Sequence, residues 1–195
     1  DADISAYEYS KYASGVAGPE KILEFVNEFP KSTLRESAIS YLRQFVRKKK
    51  DETFAVYEKL LNKYPDDITI QLSYIESSSK AKENLDKSLK LADHLYQSKS
   101  DKIDEQFIRN YAELLIEKGE NAKLKKVYND YIKEHPDNTD FQMQIGYIYQ
   151  GNKNFLDLAL QNNVSKFIFV SVLNAEKMGQ LKGIVAKLLF EEDLI

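Results

Sequence analysis

Apolar residues recur along the chain at steps of three and four. Ala38, Tyr41, Leu42 and Phe45 form one stripe, and Phe54, Tyr57, Leu60 and Leu61 form the next. Further on come Ile108, Tyr111, Ala112 and Leu115, then Leu124, Tyr128, Tyr131 and Ile132. That spacing gathers each set on one face of an α-helix and leaves the other face polar. Extended over the whole chain, the pattern predicts helices at 3–14, 19–29, 33–48, 51–64, 67–78, 80–97, 102–118, 121–135, 138–150, 153–162, 166–178 and 180–192. Asp51 is placed to cap the helix that carries Phe54, and Gly119 to close the one ending at Lys118. Gly18-Pro19 predicts a turn with proline at the first helical position. Ser77-Ser78-Ser79 predicts a turn, and Asn162-Asn163 interrupts the last third.

Three of these helices end alike, in Phe25-Val26-Asn27-Glu28-Phe29-Pro30, Leu60-Leu61-Asn62-Lys63-Tyr64-Pro65 and Tyr131-Ile132-Lys133-Glu134-His135-Pro136. The prolines are 35 and then 71 residues apart, one period and two. Proline lacks an N–H and disfavours helix in the residue before it, so its return marks a repeated stop. Two amphipathic helices per period make a helical hairpin, which cannot bury its apolar face alone and must stack on neighbours.

These residues resemble the tetratricopeptide repeat family. With Glu105–Asn138 as one repeat, the family's first-helix core positions fall on Ile108, Tyr111, Ala112 and Leu115. Its turn glycine falls on Gly119, its second-helix aromatic on Tyr128 and its proline on Pro136. A following repeat from Thr139 places Ile145, Gly146, Tyr149 and Phe155 in phase. Around Pro65 the match is looser, and 68–101 lacks most of the signature. Leu124 and Tyr131 stand where the family prefers alanine, which implies wider or re-angled helix packing. The resemblance implies an all-α, right-handed superhelical solenoid of about five to six antiparallel hairpins. They form one domain over 1–195, with units near 1–30, 31–66, 67–101, 102–138, 139–165 and 166–195.

Composition agrees with helices and narrows the chemistry. The 195 residues include only 7 Gly and 4 Pro, too few for a turn-rich β fold, and 43% are hydrophobic. A net charge of −3 provides no broad basic field for nucleic acid. The run Arg47-Lys48-Lys49-Lys50, followed by Asp51 and Glu52, reads as a basic helix end before an acidic helix start. No cysteine is present, which removes disulfides and thiolate chemistry. No segment reaches the roughly 20 apolar residues of a membrane span. His94 and His135 belong to no metal-ligand motif, and no glycine-rich phosphate loop is found. The reading is therefore non-catalytic, without cofactor or metal. The lack of cysteine, the missing Met and the polar start Asp1-Ala2-Asp3 lean weakly toward an exported, periplasmic bacterial protein, with the cytoplasm as the alternative compartment.

The expected role is a scaffold that binds a peptide or partner protein on the concave face lined by the first helix of each hairpin. The family resemblance assigns that face to Arg43, Arg109, Asn110, Glu113, Met143, Gln144 and Tyr147. A helical accessory domain of a larger enzyme is the alternative, and an RNA-reading helical repeat a further one.

Overall fold

A computed structural model of the chain describes residues 2–98 and 103–138, which belong to one compact unit spanning 1–138. Every regular element among them is helical: α1 (Ala2–Ala17), α2 (Glu20–Glu28), α3 (Arg35–Tyr41), α4 (Lys50–Lys63), α5 (Ile68–Ala81), α6 (Leu85–Ser98), α7 (Glu105–Glu117) and α8 (Asn121–Glu134), with a 3₁₀ turn at Leu42–Gln44 after α3. The helices expected from 138 onward lie outside the described residues.

The helix ends show why the sequence repeats. Phe29, Tyr64 and His135 each precede proline and leave the helix with almost the same backbone, φ/ψ of −120°/61°, −132°/65° and −131°/61°. Proline forces its predecessor out of the helical region, yet each N–H still bonds back to the fourth residue before it, Phe25, Leu60 or Tyr131. One stop device thus occurs three times in the same geometry.

Other boundaries rest on different chemistry. Gly18, with φ of +98°, turns α1 into α2 in a backbone conformation that residues with a Cβ rarely adopt, so the position favours glycine. Asp67 and Asp104 accept from the N–H of Ile70 (3.1 Å) and Phe107 (2.8 Å) and cap α5 and α7. Asp51, expected as a cap, instead lies inside the first turn of α4, where its charge still suits the helix dipole.

Two predicted elements change. The helix expected over 33–48 stops at Tyr41, because Phe45 and Lys48 bond to carbonyls only three residues back and tighten the chain. The basic run therefore leads into α4 rather than closing α3, and Lys49 and Lys50 reach Glu52 and Glu83. The serine triplet is no turn. Ser77, Ser78 and Ser79 are buried inside α5, and the break comes later, at Lys82 in the left-handed region (φ 55°). There Glu83 N–H reaches Ser78 O and Lys82 N–H reaches Ser79 O, the pairing that closes a helix around a left-handed residue. Gly119 closes α7 in the same way.

Packing follows one rule along the described chain. α3 lies on α1 and α2, α5 on α3 and α4, and α7 on α5 and α6. Each odd-numbered helix thus contacts both members of the preceding pair. The predicted stripes fill the seams: Ala38, Leu42, Tyr57, Leu60, Ile108, Ala112, Leu115 and Leu124 are all essentially buried. α5 is central. Its residues from Ser73 to Ser79 are all buried, although five of the seven are polar.

Candidate binding surfaces

Four of the sequence-assigned residues are among those described, Arg109, Asn110 and Glu113 on α7 and Arg43 just after α3. Arg43, in the 3₁₀ turn after α3, donates to Ser40 O at 3.0 Å and pairs with Glu76 of α5. Glu76 also receives Lys80 at 2.6 Å. Burial pushes the Glu76 carboxyl up, but the hydrogen bonds and charges of Lys80 and Arg43 outweigh it and leave the pKa below the usual carboxylate range. Glu113 of α7 is exposed and accepts from Ser79 of α5. Glu76 and Ser79 are three residues apart and share a face of α5. Arg43 and Glu113 are thereby drawn to one polar strip from opposite neighbours. Arg109 pairs with Glu105 one turn earlier, which holds the Glu105 carboxyl below its ordinary value. Asn110 is buried, 4% exposed, and accepts from Gln106 Nε2 at 3.2 Å. It supports the strip from within rather than presenting an amide outward. Met143, Gln144 and Tyr147 lie outside the described residues.

A second surface was not legible in the pattern. A hollow of about 850 Å³ opens between α6, α7 and α8. Ile103, Ile108 and Val127 line its apolar part; Tyr96, Tyr111 and Tyr131 contribute rings; Lys126, Lys133 and Glu134 are exposed around it. Tyr131 occupies a place where a small residue was expected, and the hollow opens beside it. Polar bridges cross this space. Tyr96 OH donates to Asp130 at 3.1 Å, while Asp93 accepts from Tyr111 OH and from Lys123 Nζ at 2.9 Å. Burial and then the adjacent carboxylate raise the pKa of both Tyr96 and Tyr111, so both remain neutral donors.

The Asp93 junction repeats one period earlier. Tyr74 of α5 donates to Glu58 of α4 at 3.3 Å, and Lys87 of α6 pairs with the same carboxylate. In each case a tyrosine on an odd helix and a lysine on the helix after it converge on an acid of the helix before it. Sequence reading placed Tyr111 in the core by its stripe. Its hydroxyl partner lay 18 residues away, beyond the reach of periodicity.

The two histidines are exposed, and His135 lies with its ring centroid 4.4 Å from that of Tyr131. No group of three metal-capable side chains gathers among the described residues, and no helix among them is long and apolar enough to cross a membrane. Comparison with known protein families, characterised proteins and solved structures gives no match.

Proposed function

We propose that this chain is a tetratricopeptide-like helical-repeat scaffold that holds a segment of a partner protein. The observation that carries this reading is the regular stacking of α3, α5 and α7, each on both helices of the pair before it, bound by polar contacts one period apart. Arg43–Glu76, Ser73–Ile39, Ser79–Glu113 and Tyr96–Asp130 all join residues 33 or 34 apart in sequence. Such a stack continues as a solenoid and leaves long open faces, which suit extended partners.

The strip with Arg43, Arg109 and Glu113 is the surface assigned to the partner. The Arg109–Glu105 pair is partly exposed, and pairs of that kind contribute only about 0–1 kcal/mol, so a partner can exchange it at little cost, whereas Glu76 is buried and holds Arg43 more firmly. The hollow between α6 and α8 is the better-formed recess and the second place to test.

The experiment is affinity capture with the whole chain, followed by mass spectrometry. It compares wild type with Arg43→Ala/Arg109→Ala and with Lys126→Ala/Lys133→Ala. Loss of the partner in the first variant assigns the strip, and loss in the second assigns the hollow. Absence of any partner enriched over a scrambled-surface control, or retention by both variants, overturns the scaffold reading.

A further inference from the structure

Successive even-numbered helices are held together in two ways. α2 and α4 pack directly on each other, whereas neither α4 and α6 nor α6 and α8 approach so closely. α6 and α8 both rest on α7, and the hollow of about 850 Å³ lies between them. Tyr131, a bulky ring where a small residue was expected, lines that gap.

Each gap is crossed by side chains arranged alike. Glu58 of α4 accepts from Tyr74 OH of α5 at 3.3 Å and from Lys87 Nζ of α6. Asp93 of α6 accepts from Tyr111 OH of α7 and from Lys123 Nζ of α8 at 2.9 Å. The tyrosine is the anchor in both: the Tyr74 and Tyr111 rings are buried, so each hydroxyl holds its carboxylate at a fixed height above the odd-numbered helix. The lysine is the reach across the gap, and Lys87 also lies 5.6 Å from the centroid of the Tyr74 ring, where a cation is attracted. α6 belongs to both sets. It receives the first through Lys87 and originates the second from Asp93, so α4, α6 and α8 are tied in series.

We propose that these two carboxylates are straps that set the spacing of α4, α6 and α8, and that the Asp93 strap limits the width of the hollow. Its two legs differ. The Tyr111 leg is rooted in the core and does not depend on salt. The Lys123 leg joins side chains that are 39% and 27% exposed, so mobile ions screen it. Salt therefore slackens the strap by one leg and leaves its anchor in place. The strap acts whether or not a partner enters the hollow.

Distances between paired spin labels on the full chain test this. The chain has no cysteine, so His94→Cys/Asn129→Cys, both exposed, reports on α6 and α8 alone. Glu28→Cys/Asn62→Cys, also exposed, reports on α2 and α4, which touch directly and serve as the reference. Asp93→Ala and Lys123→Ala are placed in each labelled background, and helix content by circular dichroism confirms folding. Asp93→Ala should lengthen the α6–α8 distance by about 2 Å, the scale of helix shifts between packed elements, and broaden its distribution. Lys123→Ala should give a smaller shift, reproduced in the unsubstituted chain by roughly 1 M salt, where charges are screened within about 3 Å. Salt should then add nothing to Lys123→Ala, and the α2–α4 distance should stay constant throughout. If Asp93→Ala does not fold, Lys123→Ala and the salt series, which leave the Tyr111 bond intact, still decide the matter. An α6–α8 distance indifferent to Lys123→Ala and to salt overturns the proposal, as does equal broadening of both label pairs, which would show general loosening.

Discussion

Tyr57 shows how one buried hydroxyl organises its surroundings. It lies 2.8 Å from Ser73 Oγ and 3.0 Å from Ser77 Oγ, and Ser73 donates onward to Ile39 O at 3.3 Å. Since Ser73 spends its proton on that carbonyl, Tyr57 donates to Ser73 and accepts from Ser77, and all three hydroxyls are satisfied. Burial pushes the Tyr57 pKa up to about 12, against the partial offset of the two serines. A folded-state value above the unfolded value of 10 means that the unfolded chain loses this proton first as pH rises. The contribution is complete below pH 10 and is lost between pH 10 and 12. Tyr74, Tyr96 and Tyr111 are shifted in the same direction, also with burial as the largest cause. Urea midpoints measured from pH 8 to 12 should therefore fall steeply above pH 10. Tyr57→Phe should make that fall shallower while costing about 1–2 kcal/mol at neutral pH, because it leaves the serine hydroxyls short of a partner. An unchanged alkaline slope in Tyr57→Phe contradicts the assignment.

At the level of elements, the sequence revealed the helices whose apolar stripes are complete and misread those held by polar packing. The stripes around Tyr57 and Tyr111 have the period of a helix and are buried as expected. α5 has no such contrast. Ser73, Ser77, Ser78 and Ser79 pack in the middle of the stack, where small side chains let α3, α4, α6 and α7 approach, and a serine triplet looks like a turn when only local preference is read. For the candidate site, the resemblance put forward Arg43, Arg109 and Glu113, whereas Glu76, the partner of Arg43, depends on α5 continuing past Ser77, which the local pattern does not encode. The hollow depends on the distance between α6 and α8, which periodicity does not encode. The end of α5 yields a prediction. Lys82 holds a left-handed conformation that costs a non-glycine residue roughly 1 kcal/mol, while Gly119 meets the same demand at the end of α7 without that cost. Lys82 also pairs with Glu117 at 2.5 Å, an exposed contact of small value. Lys82→Gly should therefore raise stability by about 0.5–1 kcal/mol, read as a higher urea midpoint at unchanged slope. A drop would mean that the Glu117 pair outweighs the backbone strain.

For the whole described unit, the question is whether stability is held in common or passed from pair to pair. In one shared core a cavity anywhere weakens every helix. In a stack, each pair answers mainly to its neighbours, and the effect of a lesion fades along the chain. Among the described residues the larger contacts run between neighbouring pairs: α1 and α2 meet α3 and α4, while α7 meets α5, α6 and α8. α5, joined to four other helices and buried over most of its length, should hold the slowest-exchanging amides, and α1, with one side open, should exchange fastest. Phe25, 3% exposed and packed on Tyr7 and Phe29, is a suitable place for the lesion. Phe25→Ala should cost about 3–5 kcal/mol locally. In native-state hydrogen exchange followed by mass spectrometry, it should accelerate peptides from α1, α2 and α3 strongly, α5 weakly and α7–α8 little. Uniform acceleration across all eight helices would show a single cooperative core and would remove the physical basis for treating the hairpins as repeats. A graded response would establish that each pair is stabilised chiefly by the one beside it, the arrangement a repeat scaffold requires.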